Sequence, residues 1–522
     1  MDFTLDKRRC YPSCLRLNGK LCSVSVILAA FFGLIGCGGG GNLASEPASG
    51  LVSFGTFTPG PTPFMGSIQL QGYGVAALQS YSFTIASKAG SASAPIHITY
   101  NQAALKRRNY FEVVPGSTVL EGISLPIYGL YPGYTNNVSI NLQFSDGSSS
   151  TTAIPITTDS YTDPTGIYAT PLVLKQRAKG SPLGFNFFAM KSAIGTPVIV
   201  DTDGQIRWVG TGISNAISTI FSGDGFTTGD SLAPTIHYLA LDGFLTQYTL
   251  QSAGVTNFNH NIDLGKTGFL ASVDTVTNGE STTEEIDSSG VVLKTWDLAA
   301  ILSAYMQANG DDPSMFVRPG ADWFHLNANT YDPADDTVIV SSRENFLIKL
   351  DYQTGNIIWI FGDPTKYWYT FPSLRAKAVT LSGGGLYPIG QHAVSITSDG
   401  LVLVFNDGLG SLNQPTGEPA GESRTYSTVS AYSIDTNSLT AREVWDFSYG
   451  QSIYSEVCSS AYEAPNQTYL VDYAVADNLT HTRIVGLDSQ RNVVFDFQYP
   501  TLACNTSWNA IPVALDHLNI TQ

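Results

Sequence analysis

The chain has 522 residues, too many for one ordinary domain and enough for two or for a large repeat fold. A formal net charge of −17 excludes a general nucleic-acid surface, which needs an excess of Lys and Arg, yet leaves room for an anionic small substrate, which answers to local field. Only 13% of residues are charged while Gly (50), Tyr (26) and Phe (26) abound, a composition of strands and turns.

Residues 1–36 read as a processing segment. Lys7, Arg8, Arg9, Arg16 and Lys20 precede an apolar run from Leu21 to Ile35, which is short for a bilayer span. The run ends in LIGC, followed by GGGGN, and this junction is similar to a bacterial lipoprotein signal with Cys37 as the lipid-bearing first residue. An ordinary secretory signal is the other reading. With the lipoprotein signal, and with Gly38 and not Asp after the cysteine, the chain is expected in the periplasm or cell envelope, anchored by lipid to the outer membrane and touching a membrane in no other way. Cys10, Cys14 and Cys22 then leave with the signal, so the folded part keeps Cys458 and Cys504, which can pair as a disulfide in an oxidising compartment.

Residues 37–60 are rich in Gly, Ser, Pro and Ala and read as a tether. From 61 to 175 short alternating runs such as YSFTIAS, PIHITY and NVSINLQF, broken by Gly, Pro and Asn turns, predict a small antiparallel β-sandwich in which His97 is a plain strand residue. From 176 to 522 one pattern recurs: DGQIRWVG, DGFLTQYTLQ, SGVVLKTWDL, TGNIIWIFGD, SLTAREVWDFSYG and SQRNVVFDFQYP each have a turn and then a β-rich run. Six such segments predict an all-β chain ending in a six-bladed β-propeller, with seven or eight blades as alternatives.

Three histidines recur in this second part. His260, His325 and His392 are spaced by 65 and 67 residues, and each opens a strand, a turn and a returning strand. In an antiparallel hairpin the start of one strand lies beside the end of its partner. His325 should therefore face Arg343, His260 should sit near Asp274, and His392 near Asn406 and Asp407. If these are innermost hairpins, three imidazoles and a guanidinium meet at one mouth of the channel. Each histidine alone is more simply structural, as His237, His481 and His517 are read; three in register argue for a site. A zinc or copper site is the second reading, but Arg343 beside a dication is repulsive. A guanidinium with neutral imidazoles and the amide of Asn327 suits a tetrahedral oxyanion better, so no metal is assigned.

The stretch from His260 through DWFHLN, SSRENFLIKLD, TGNIIWIFGD, GQHAVSI and LVLVFNDG resembles the bacterial aryl-sulfate sulfotransferases, and the resemblance extends over most of the chain. It implies an N-terminal β-sandwich ahead of a six-bladed propeller, and transfer of a sulfuryl group from an aryl sulfate donor to a phenolic acceptor without adenosine phosphosulfate or another cofactor. It also implies that His392, in GQH, is transiently sulfated, with His260, His325, Asn327 and Arg343 around the sulfuryl oxygens. The partners are thus small molecules, with a homodimer allowed. The residues themselves also favour His392 as nucleophile: Gly390 leaves close backbone access, whereas a carboxylate at Asp274 would favour the imidazolium of His260. NFNHN before and around His260 departs from the family's pattern. KYWYTFPSL at 366–374 reads either as a wall for the aryl ring or as a packed blade insertion. A propeller hydrolase, a metal-dependent oxidoreductase and a non-catalytic, lipid-tethered binding propeller are the competing functions.

Overall fold

The computed structural model describes residues 46–113 and 120–521. The signal segment, Cys37 and the first part of the tether lie outside the described residues. No helix among the described residues is long and apolar enough to cross a membrane.

Two sheets make the N-terminal sandwich. One contains Ser53–Pro59, Met65–Gln71, Phe111–Val113 and Leu120–Tyr128; the other contains Leu78–Ile85, Ile96–Asn101, Thr135–Phe144 and Ser149–Thr157. Alternation drives the pairing. Thr135–Phe144 buries Val138, Ile140, Leu142 and Phe144 on one face and exposes residues between them, as a strand with one wet side must. The sandwich begins at Ser53, inside the segment expected to be tether, and takes its last strand, His517–Ile520, from the far end of the chain, parallel to Ile96–Asn101. The propeller therefore stops short of residue 522. It also begins earlier than 176, because Leu172–Lys175 pairs with Val493–Pro500 at a propeller sheet's edge.

Among the described residues six further sheets of four or five strands form the propeller, antiparallel throughout except for the short Thr380–Leu381, which runs parallel to Thr440–Phe447. Each of the six recurring segments supplies a later strand of a different sheet: Ile206–Val209, Leu245–Thr249, Val292–Asp297, Ile357–Phe361, Thr440–Phe447 and Val493–Pro500. The first strands of successive sheets lie side by side, so Ser218–Ser222, Val255–Leu264, Leu326–Asp332, Gln391–Ile396 and Ser460–Ala464 are the inner strands of blades two to six. The first blade is closed by a late strand: Asn509–Val513 pairs with Phe187–Lys191, which joins the end of the propeller to its beginning.

The sandwich core runs on into the first two blades, through Phe187, Trp208, Phe226 and Leu239. Arg207 fixes this junction. Its buried guanidinium donates to the Gly129 carbonyl from Nη2 at 2.7 Å and lies 3.6 Å from the centroid of Tyr131. A buried cation that is paired with Asp201 and stacked on an aromatic face holds two domains in one orientation.

Candidate active site

His260, His325 and His392 lie at the inner strands of blades three, four and five, which are neighbours. Each of the three sits in or next to an interruption of its ladder. The pairing of Val255–Leu264 shifts register between Phe258 and Ile262, that of Gln391–Ile396 between His392 and Ser395, and His325 precedes a strand whose register shifts after Leu326. A bulge bends the strand and re-aims side chains. His325 itself has φ 50° and Ala393, after His392, has φ 51°, left-handed values that cost energy in a non-glycine residue and cluster at working sites.

The expected pairing of His325 with Arg343 is present in the backbone: Arg343 N–H donates to the His325 carbonyl at 3.0 Å. His392 lies beside Asp407, with 3.7 Å from Nδ1 to Oδ2. Two other expectations need correction. Asp274 is not the ion partner of His260, because its carboxylate accepts from the amides of Asn257 and Asn259 and from the Glu280 N–H, each at 2.8 Å. The carboxylate facing His260 is Glu280, at 3.8 Å. Asn406 turns away, donating to Ser430 at 3.0 Å and accepting from the Ile389 N–H. Both lie beside the expected stretch of backbone, paired as Asn257 with Asp274 and Gln391 with Asn406, while their side chains bond elsewhere.

The three rings differ in charge. Burial, then the nearby Arg343 charge, hold His392 well below the usual imidazole range. Its Nδ1 lies 2.8 Å from the Gly390 carbonyl, which can only accept, so Nδ1 carries the proton and Nε2 keeps its lone pair. Burial likewise lowers His260, whose ring sits edge-on to His325 at 4.6 Å and against Trp508 at 4.8 Å. His325 is the exception to the expected neutral set. Burial opposes its charge, but the hydrogen-bonded Asp322 carboxylate (2.7 Å) and the Glu280 carboxylate beside it (2.9 Å) outweigh burial and push its pKa up to about 10.

Arg343 is buried, at 2% exposure. Nη1 donates to Glu344 at 2.9 Å, while Nε and Nη2 have no hydrogen-bond partner among the described residues. Glu344 is held in turn by the backbone N–H groups of Leu412 and Asn413. Burial pushes Asp407, 3.6 Å from Arg343, up to about 8, despite the guanidinium. Below Arg343, Lys366 donates to the Glu344 carbonyl at 3.0 Å, and burial brings its pKa down to about 8. A guanidinium edge with two free N–H groups, buried next to a neutral imidazole, matches two oxygens of a tetrahedral anion.

Asn327 spends one amide N–H on the Gln391 carbonyl at 2.7 Å, and Ser341 donates to the same carbonyl. It thus fixes the backbone that leads into His392, while its Oδ1 has no hydrogen-bond partner among the described residues. The KYWYTFPSL segment is not an aryl wall. Tyr367 and Trp368 are buried against Phe316, Phe346 and Phe371, and the Trp368 indole donates to Asp363. The aromatic at the site is Trp508. It packs beside the Cys458–Cys504 disulfide, whose Cα atoms are 6.6 Å apart, as the cysteine count led us to expect.

His260, Glu280 and His325 bring three nitrogen or carboxylate atoms within 4.8 Å of one another. His325 Nδ1 is engaged there with Asp322 and lies 2.9 Å from the Glu280 carboxylate, so the cluster is arranged around a charged imidazole. Glu280, Asp322, Glu344, Lys366 and Trp508 went unnoticed in the sequence. The signal available for the first two was two acidic residues within a few positions of a turn or of a site histidine, which is common in any loop.

Fold and cluster together define a propeller protein whose inner strands gather three histidines beside a buried arginine. The chain belongs to the arylsulfotransferase (ASST) family, which matches residues 171–509, and residues 72–159 match the arylsulfotransferase Ig-like domain. Among curated proteins it is similar to arylsulfate sulfotransferase AssT of Escherichia coli O6:H1 (strain CFT073), with 27% identity over 230 residues, 35% of this chain and 38% of that protein. It is similar to the protein of the same name from Lelliottia amnigena, with 27% identity over 220 residues, 34% of this chain and 36% of that one. The matched stretch thus spans little more than a third of either relative. Among solved structures, the β-propeller domain of Myceliophteria thermophila Cps50 (Swd1) is similar at TM-score 0.35 and 14% identity, covering 62% of this chain and 88% of that one.

Proposed function

We propose that this protein is an aryl-sulfate sulfotransferase that works by double displacement through a sulfohistidine at His392. The observation that carries the reading is the pairing of a neutral His392, its Nδ1–H held by the Gly390 carbonyl, with the unpartnered Nε and Nη2 edge of Arg343. A neutral imidazole attacks without first losing a proton.

In the first half-reaction the Nε2 lone pair of His392 attacks sulfur and the bond from sulfur to the aryl oxygen breaks. The bonding pair leaves with the phenolic oxygen, which takes a proton from His325. Arg343 holds two sulfuryl oxygens as charge shifts, and the Gly390 carbonyl accepts from the imidazolium that forms. In the second half an acceptor phenol gives its proton to the now neutral His325 and attacks sulfur, and the bond to Nε2 breaks. Transfer of this loose, in-line kind depends mainly on positioning and electrostatics. Trp508, against His260, offers a face for an aryl ring. From the LIGC junction we further propose a periplasmic or cell-envelope protein, lipid-anchored through Cys37.

Donor without acceptor should give a single turnover and leave roughly 80 Da, acid-labile, on the peptide that holds His392. His392→Ala should abolish both burst and adduct. An adduct on another histidine, or turnover with sequential kinetics and no adduct, overturns the mechanism.

A further inference from the structure

Glu280 lies outside the five residues of the reaction just described, yet it is built into the site. It closes the turn between Phe269–Thr275 and Thr282–Ile286 in the third blade, with φ 45°, a left-handed value that a glutamate adopts only when its surroundings require it. Those surroundings are visible. Its N–H donates to Asp274 Oδ1 at 2.8 Å, and its carbonyl accepts from Leu326 N–H of the fourth blade at 2.8 Å. Asp274 is fixed in turn by Asn257 and Asn259. The strained backbone aims the carboxylate across the gap between blades, to 2.9 Å from His325 Nδ1 and 3.8 Å from His260 Nδ1.

Asp322 reaches the same Nδ1 from the other side at 2.7 Å and also accepts from Asn413 at 3.1 Å. Two carboxylates about one nitrogen repel each other unless a positive charge lies between them. The arrangement is therefore stable with His325 as imidazolium, its Nδ1–H bonded to Asp322, the Glu280 carboxylate beside it as counter-charge, and its Nε2–H left for the reaction.

Resting on the sulfuryl-transfer reading, we propose that Glu280, assisted by Asp322, is the positioning residue that fixes His325 as the proton donor to the departing phenolate. It acts through His325 and need not touch the substrate. Burial favours protonation of Glu280, but the neighbouring imidazoles, the His325 imidazolium among them, outweigh it and hold its pKa below the ordinary glutamate value. The consequence is a division of labour by substrate: an unactivated phenol needs the proton as it leaves, and a nitrophenol hardly does.

The test is a series of substituted phenyl sulfates, from 4-nitrophenyl to phenyl, turned over by the full-length protein and by Glu280→Gln, which keeps size and one acceptor but removes charge. We expect kcat/KM for phenyl sulfate to fall by about 10²-fold, with a much smaller loss for 4-nitrophenyl sulfate, so that dependence on leaving-group pKa steepens. Asp322→Asn, on a more exposed loop, should steepen it in the same sense and serves if Glu280→Gln does not fold. Equal losses across the series would make Glu280 a strut between blades and overturn the proposal; so would unchanged rates. One equivalent of zinc in the purified protein that disappears in Glu280→Gln would also overturn it, replacing proton donation with metal binding. Failure of the covalent reading itself is seen separately, as a wild-type protein with no adduct on His392.

Discussion

Arg343 is buried with one nitrogen engaged and two N–H groups free, a state that carries an energetic penalty unless a ligand takes them up. Lysine in its place offers a point charge and no fork. Arg343→Lys should lower kcat/KM by about 10²-fold, with far-UV circular dichroism unchanged. Unchanged transfer rates would make Arg343 a scaffold residue. The histidines give a second prediction, through pH. His392 must be neutral to attack, and its lowered pKa places the acid limb below the ordinary 6.5. His325 must be protonated to donate, and its pKa of about 10 places the alkaline limb there. The pH profile of kcat/KM for an unactivated aryl sulfate should thus be flat across neutral pH and fall as pH rises through about 10. An alkaline limb near 6.5 would mean that His325 is an ordinary imidazole. At this scale the sequence displayed its rare residues well: seven histidines leave few candidates, and three fell into place. Glu280, Asp322 and Trp508 stayed hidden because their roles depend on what faces them across a blade boundary.

The inner strands were legible as strands, and their interruptions were not. Periodicity reports alternation, while a bulge is a single extra residue with no composition of its own. Gly390 is where the interruption can be tested. It has φ +58°, and a Cβ there would lie 1.6 Å from Asp407 Oδ1. Gly390→Ala should therefore cost about 2–4 kcal/mol, read from the denaturant midpoint, and displace His392 as well. A stable, fully active alanine variant would show that the chain before His392 tolerates another path. The disulfide belongs to this scale too. It closes a separation of 46 residues and backs the segment that carries Trp508. Replacing both cysteines by serine should remove about 4 kcal/mol of stability in the chain-entropy model. Reducing and alkylating the denatured protein, compared with an unreduced sample, checks that the bond forms.

At the scale of the whole molecule, the division into sandwich and propeller followed from turn spacing and from the six recurring segments. The crossing of the boundary by Leu172–Lys175 and His517–Ile520 did not, because a four-residue strand carries too little pattern to name a partner hundreds of positions away. The lipid anchor is tested at this scale as well: mass spectrometry of the mature N-terminal peptide should find acyl mass on Cys37, and an unmodified Ser or Gly terminus would end that idea.

The strand Asn509–Val513 closes the first blade against Phe187–Lys191, and translation reaches it after all the other strands of the six propeller sheets. Joining them fixes the ends of a very long loop, whose entropy must be offset in one late step. Until that step the ring stays open, and Trp508, just ahead of the closing strand, is absent from beside His260. A chain still missing this segment leaves the first blade unclosed and His260 without the aromatic ring that packs against it, so the last strand of the propeller both completes the ring and finishes the histidine cluster.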